Sequence, residues 1–143
     1  MNRLLYEHST FCRGYLIIPF QYGQADSQAI YSYRLLSEIG HKGHFHTATN
    51  PAKLYSDSID GILQIARDDL TQFSDSDSYD DYFKRRYTYR DNLIIVIEAA
   101  GTFFYDHYPP TELTNIAAPK LFESEAECLN WIRQGIDRIS SSV

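Results

Sequence analysis

The chain has 143 residues, 13 Lys and Arg against 19 Asp and Glu, and a formal net charge of −6. A chain this long forms one ordinary domain and buries roughly two-thirds of its unfolded surface. The acidic balance disfavours binding of nucleic acid or an anionic membrane by the whole surface, and a hydrophobic content of 43% excludes global disorder.

The first fourteen residues contain no apolar core of the kind a secretory leader needs, and no apolar run is long enough to span a bilayer. Cys12 and Cys128 lie near opposite ends with no metal or redox spacing, so reduced thiols in a cytoplasmic protein are expected. Twelve tyrosines stand against one tryptophan. Tyrosine joins a large apolar body to a polar tip, which suits half-buried sheet faces and interfaces.

In chain order, residues 1–10 read as a loose leader. Residues 14–20, GYLIIPF, form a strand, and Pro19 predicts that it lies at an edge or ends there, since proline lacks a ladder donor. Residues 21–27 are a turn around Gly23. Residues 28–39 support two readings. As a strand, Ile30 to Leu35 would complete a hairpin with 14–20. As a helix, Asp26 or Ser27 is the cap, Ile30, Tyr33 and Leu36 share a face, and Gly40 is the stop. The two end signals favour helix.

Residues 41–48 read as a short strand followed by a turn at 49–51. A helix is expected over 57–73, with Ile59, Ile62, Leu63, Ala66 and Leu70 on one face and Asp60, Gln64, Arg67 and Asp68 on the other. Gly61 inside it costs about 1 kcal/mol relative to alanine. Residues 74–81 are an acidic loop. Leu93 to Ile97 are five consecutive apolar residues, four of them β-branched, and read as a central strand buried on both faces. With joints at Asp91-Asn92 and at 100–102, they centre an antiparallel meander over about 86–108, ended by Pro109-Pro110.

A last short strand is expected at 120–122. Ser124 to Glu127 is a capping box opening a helix with the stripe Leu129, Ile132, Ile136 and Ile139, and 140–143 fray. No internal repeat or linker divides the chain. The fold class expected is a single α+β domain, a mainly antiparallel sheet with two or three helices packed on one face.

Four stretches could carry chemistry. His41, His44 and His46 could hold a transition metal, with His107 or an acidic residue completing the shell, because neutral imidazoles around an open position suit such ions. Solvated strand histidines are the plainer reading, and no other cofactor is expected. Asp75, Asp77, Asp80 and Asp81 begin like a calcium loop but lack its glycine and its closing glutamate.

Lys84, Arg85, Arg86, Tyr87, Tyr89 and Arg90 interleave positive charge with aromatic rings. That pattern suits phosphates and bases, yet a tyrosine face opposite a solvated basic face is the plainer account, and the preceding aspartates oppose nucleic acid. Asp106 and His107 are adjacent, so on a strand they point to opposite faces and cannot pair. The function expected is a small non-catalytic interaction module that binds another protein through the 84–90 edge. The alternative is a metal-binding protein or metal-dependent enzyme using the three histidines. No membrane partner is expected, and the oligomeric state stays open.

Overall fold

A computed structural model describes residues 3–37, 47–50, 54–73 and 83–141. Among these residues seven strands, β1 (Thr10–Cys12), β2 (Tyr15–Ala25), β3 (Gln28–Ser37), β4 (Thr47–Thr49), β5 (Arg86–Tyr89), β6 (Asn92–Ala99) and β7 (Thr102–Tyr108), accompany two α-helices, α1 (Ile59–Phe73) and α2 (Glu125–Ser141). The strands form two antiparallel sheets, ordered β1-β2-β3-β4 and β5-β6-β7. The fold is therefore α+β, and the expected meander over 86–108 is the second sheet.

Strand alternation decides the layering. Successive side chains point to opposite faces, so an apolar run buried throughout needs a cover on each side. Leu16, Ile18 and Leu36 of the first sheet meet Leu93, Ile95 and Tyr108 of the second in one buried cluster between the sheets. The alternate residues turn outward. Ile17, Tyr33 and Leu35 pack against Ile62, Ala66 and Leu70 of α1, while Ile94, Val96 and Tyr105 pack against Cys128, Ile132 and Ile136 of α2. The layers run helix, sheet, sheet, helix. This corrects the expectation of one sheet with its helices on one face: there are two sheets, and the helices cover opposite outer faces.

Three further expectations change. Residues 28–37 are strand β3, paired with β2 from Tyr15↔Ser37 to Ala25↔Gln28. Asp26 and Ser27 do not cap a helix. With φ of 53° and 67° they are the two central residues of a hairpin turn whose twist matches the flanking strands. Pairing along β2 outweighs the local helix signals, as tertiary context generally does.

Pro19 lies inside β2 and not at its end. Its carbonyl accepts from Leu5 N at 2.9 Å, and within a strand the N and O of one residue point the same way. The missing N–H therefore faces the N-terminal segment, and the ladder to β3 loses no donor. That segment is no loose leader. Leu4 and Tyr6 are 3% and 1% exposed, Leu4 N donates to Pro110 O at 2.8 Å, and Tyr6 Oη donates to Pro109 O at 2.5 Å.

The halves of the chain repeat each other in structure. Each half has a three-stranded meander turned at two-residue joints, Arg13-Gly14 and Asp26-Ser27 in the first, Arg90-Asp91 and Ala100-Gly101 in the second. All eight of these residues have positive φ. The third strand of each meander then makes one bridge with the segment before the helix, Tyr31↔Ser56 and Phe103↔Phe122. Ser58 and Ser124 cap the helices by accepting from Gly61 N at 3.0 Å and Glu127 N at 3.1 Å. The buried helix residues Ile62, Ala66 and Leu70 correspond to Cys128, Ile132 and Ile136, each 66 positions later. Phe122 makes a single bridge where a short strand at 120–122 was expected.

The two helical glycines separate by this geometry. A Cβ at Gly61 would lie 2.2 Å from Ser56 Oγ and 2.8 Å from the capping Ser58 Oγ, whereas a Cβ at Gly135 meets nothing within 4 Å. Gly135→Ala is expected to stabilise the protein by about 1 kcal/mol through helix propensity. Gly61→Ala, which should gain the same by sequence, is expected to destabilise by about 1 kcal/mol because it displaces the cap. Urea unfolding of both variants checks the opposite signs.

Candidate functional site

The basic and aromatic stretch 84–90 forms β5 and its flanks, and its tyrosines and arginines are engaged within the molecule. Tyr87 and Tyr89 face α2. Tyr87 Oη donates to Glu125 Oε1, and Tyr89 Oη donates to Asp137 Oδ1 at 2.8 Å. Arg90 Nε donates to the same Asp137 oxygen at 2.7 Å, and its guanidinium lies 5.8 Å from the Tyr89 ring centre. The Tyr89 hydroxyl first, then Arg90, holds the Asp137 carboxyl below the usual carboxylate range. Arg85 pairs with Glu98 at 3.5 Å and lies over Phe103, and Arg86 Nη1 donates to Phe83 O at 3.0 Å. Lys84 is exposed. The stretch thus clamps α2 to the second sheet, with Arg85 paired to Glu98 and Arg90 to Asp137.

Asp106 and His107 do point to opposite faces of β7, as strand geometry requires, and a neighbouring asparagine ties their positions together. Asn115 Nδ2 donates to Asp106 Oδ1 at 3.0 Å, while Asn115 Oδ1 accepts from His107 N at 2.9 Å and Ala117 N at 3.1 Å. On the other face His107 Nε2 lies 2.9 Å from Asn92 Oδ1. Asn92 Nδ2 donates to the carbonyls of Tyr89 and Arg90. The asparagine oxygen must therefore accept, so the His107 proton sits on Nε2. Burial lowers the His107 pKa and keeps the ring neutral. Both residues are 9% exposed or less, and their partners are structural.

Cys128, on the inner face of α2, is fully buried, and burial pushes its thiol up to about 11, which leaves it protonated and unreactive near neutral pH. Cys12 and Cys128 are both free. His41, His44 and His46, with the acidic run at 75–81, lie outside the described residues. Among the described residues, no three His, Cys, Asp or Glu side chains come together as a metal would need. No helix there is long and apolar enough to cross a membrane.

Two surface features of the first half stand out among the described residues. Tyr22 and Tyr55 are 62% and 45% exposed, and their rings pack with centroids 4.9 Å apart. Beside α1 a cavity of about 510 Å³ is lined by Leu54, Ile65, Asp68, Asp69, Thr71 and Gln72. Sequence reasoning missed both. Tyr22 sits in what reads as a turn, and Asp68 reads as one more charge on the solvent face of a helix. The available signal was the parallel spacing of Ser58 and Ser124 ahead of two apolar stripes, which would have exposed the repeat and so the places where its halves differ. Compared with family models, with curated proteins and with solved structures, the chain matches none.

Proposed function

We propose that the chain is a non-catalytic cytoplasmic module that binds another protein, and that the contact is made by the exposed pair Tyr22 and Tyr55. The observation that carries this reading is where the pair sits. β2 and β3 have 11 and 10 residues against 8 and 7 in the equivalent β6 and β7, and the extra length forms an arm bearing Tyr22. An arm added to one half of a repeat, ending in two half-exposed aromatic rings, has no role in either helix–sheet core. Tyrosine offers large contact area at small entropic cost, which is why interfaces favour it. Asp26 and Asp57 are exposed beside the arm, so the partner surface is basic around an apolar centre. Within this reading the contact moves away from the 84–90 edge, because the rings there lie under α2 with their hydroxyls taken. Two free cysteines and a buried, protonated Cys128 support a reducing compartment and a non-catalytic role.

The test compares three immobilised proteins in native lysate of the source cells at rising salt. They are the wild type, Tyr22→Ser/Tyr55→Ser, and Arg85→Glu/Arg86→Glu. The expected result is a stoichiometric partner on the wild type that high salt releases and the tyrosine variant loses, with urea stability unchanged within about 0.5 kcal/mol. Capture lost only in the arginine variant, with its fold intact, would return the contact to the 84–90 edge. The same proteins on all three, or none, would overturn the reading.

A further inference from the structure

Tyr22 and Tyr55 are brought together by two backbone devices, which the second half does not combine. β2 and β3 pair as Gln21↔Tyr31 and then as Gly23↔Ile30, so Tyr22 is an extra residue with no partner across the hairpin. Such a bulge turns a side chain away from the direction that strict alternation would give it. Tyr55 is fixed from the other side. Its neighbour Ser56 is bridged to Tyr31, the residue opposite Gln21, with Tyr31 N donating to Ser56 O at 2.7 Å and Ser56 N to Tyr31 O at 3.1 Å. The second half has the bridge without the bulge. β6 and β7 pair without a break from Leu93↔Tyr108 to Ala99↔Thr102, and the residue before the bridged Phe122 is Leu121.

The outcome is a pair of phenols in contact. Their ring centroids are 4.9 Å apart with 48° between the planes, and both rings are open to solvent. The Tyr55 phenol lies above its ordinary range, through desolvation first and then through Tyr22, which opposes its charged form and hydrogen-bonds its hydroxyl. The hydroxyl ends are therefore side by side, and so are the ring carbons next to them. Other tyrosines are placed differently. Tyr6, Tyr33, Tyr105 and Tyr108 are 6% exposed or less, and the hydroxyls of Tyr87 and Tyr89 are drawn apart to Glu125 and Asp137, towards opposite ends of α2. The thiols cannot supply a covalent tie within the chain. Cys12 packs with the α1 cluster and Cys128 with the α2 cluster, on opposite outer faces. Two sheets stacked about 10 Å apart lie between them, beyond the roughly 7 Å that a disulfide spans.

We propose that Tyr22 and Tyr55 form a site of oxidative coupling, joined ring to ring as a dityrosine by a one-electron oxidant of the peroxide-driven haem peroxidase class. Each phenol gives up one electron and its hydroxyl proton, and the two phenoxyl radicals form a carbon–carbon bond between ring positions next to oxygen. Each of those carbons then loses its hydrogen as a proton while each oxygen regains one, so both rings return to phenols. The net loss is two electrons and two protons, which reduce one hydrogen peroxide to two waters. The bond ties the arm to the segment ahead of α1, and unlike a disulfide it is not reversed by thiols. Coupling goes beyond the protein-binding reading. It needs the two rings and no partner, so either can fail while the other holds.

The test treats the purified full chain, at low micromolar concentration, with a plant haem peroxidase and equimolar hydrogen peroxide. The expected product is a monomer lighter by two hydrogen atoms, with dityrosine fluorescence, whose digest contains Tyr22 and Tyr55 in one cross-linked peptide pair. Tyr22→Phe and Tyr55→Phe keep a ring at each place and remove the oxidisable hydroxyl. Each is expected to lose the coupled monomer while remaining folded by circular dichroism, and either variant carries the test should the other fail to fold. No coupling in the wild type, products joined only between chains, a cross-link that maps to other tyrosines, or a coupled monomer persisting in a folded phenylalanine variant would each overturn the site.

Discussion

Replacing Tyr6 by alanine is expected to destabilise the protein by about 3–5 kcal/mol, as large for a residue near the chain end as for a central strand residue. The ring is 1% exposed within the cluster between the sheets, among Leu16, Ile18, Leu93 and Tyr108. Its hydroxyl donates to Pro109 O at 2.5 Å, joining the N-terminal segment to the end of β7. Burial raises the phenol well above its ordinary range, so it stays a donor at every pH the fold tolerates. Truncation loses the ring's packing and leaves a void that neighbours on two sheets cannot close together. Tyr6→Phe keeps the packing and loses only the hydrogen bond, at about 1 kcal/mol. Urea unfolding followed by the fluorescence of Trp131 measures both. A loss below about 1 kcal/mol for the alanine variant would show that the N-terminal segment is not part of the core.

The second large effect is expected at Asn115, an exposed loop residue that a burial-based ranking would pass over. Its side chain supplies three hydrogen bonds, one to the carboxylate of Asp106, which is 3% exposed. A buried carboxyl that loses a donor loses part of what offsets its desolvation, and two backbone donors lose their acceptor as well, so Asn115→Ala is expected to cost about 2–3 kcal/mol. Asn115→Asp should cost more, because a carboxylate cannot donate to Asp106 and repels it. The order wild type, alanine, aspartate in urea midpoint checks the argument. An aspartate variant as stable as alanine would show that the asparagine nitrogen contributes nothing to Asp106.

Both predictions concern residues whose weight was hidden in the sequence. The second sheet was legible because its signals are local. Five apolar residues centred at Ile95, polar joints on each side and the closing prolines need no partner to be read, and the same is true of the capping box at Ser124 and the stripe of α1. β3 was misread because its helix signals are also local, and nothing within residues 28–39 shows that β2 lies alongside to be paired. The leader failed for the same reason. MNRLLYEH has no periodicity of its own, and Leu4 and Tyr6 are core residues only because Pro109, Pro110 and Pro19 come to meet them.

The candidate sites divide along the same line. The tyrosines at 87 and 89 were visible as a sheet face, yet only the position of α2 decides that their hydroxyls end on Glu125 and Asp137 and not on a partner. The cavity beside α1 is lined from α1 and the segment before it, and no local pattern in the sequence marks it.

What the sequence determined by itself was α+β composition, the second meander, both helices and the acidic balance of charge. These follow from side-chain branching, spacing and charge over a few residues. What only the tertiary structure decided was that two sheets face each other with a helix on each outer side. Layering depends on which apolar faces find each other, and strands such as β2 and β6, buried on both faces, carry no local mark of which neighbour covers which side.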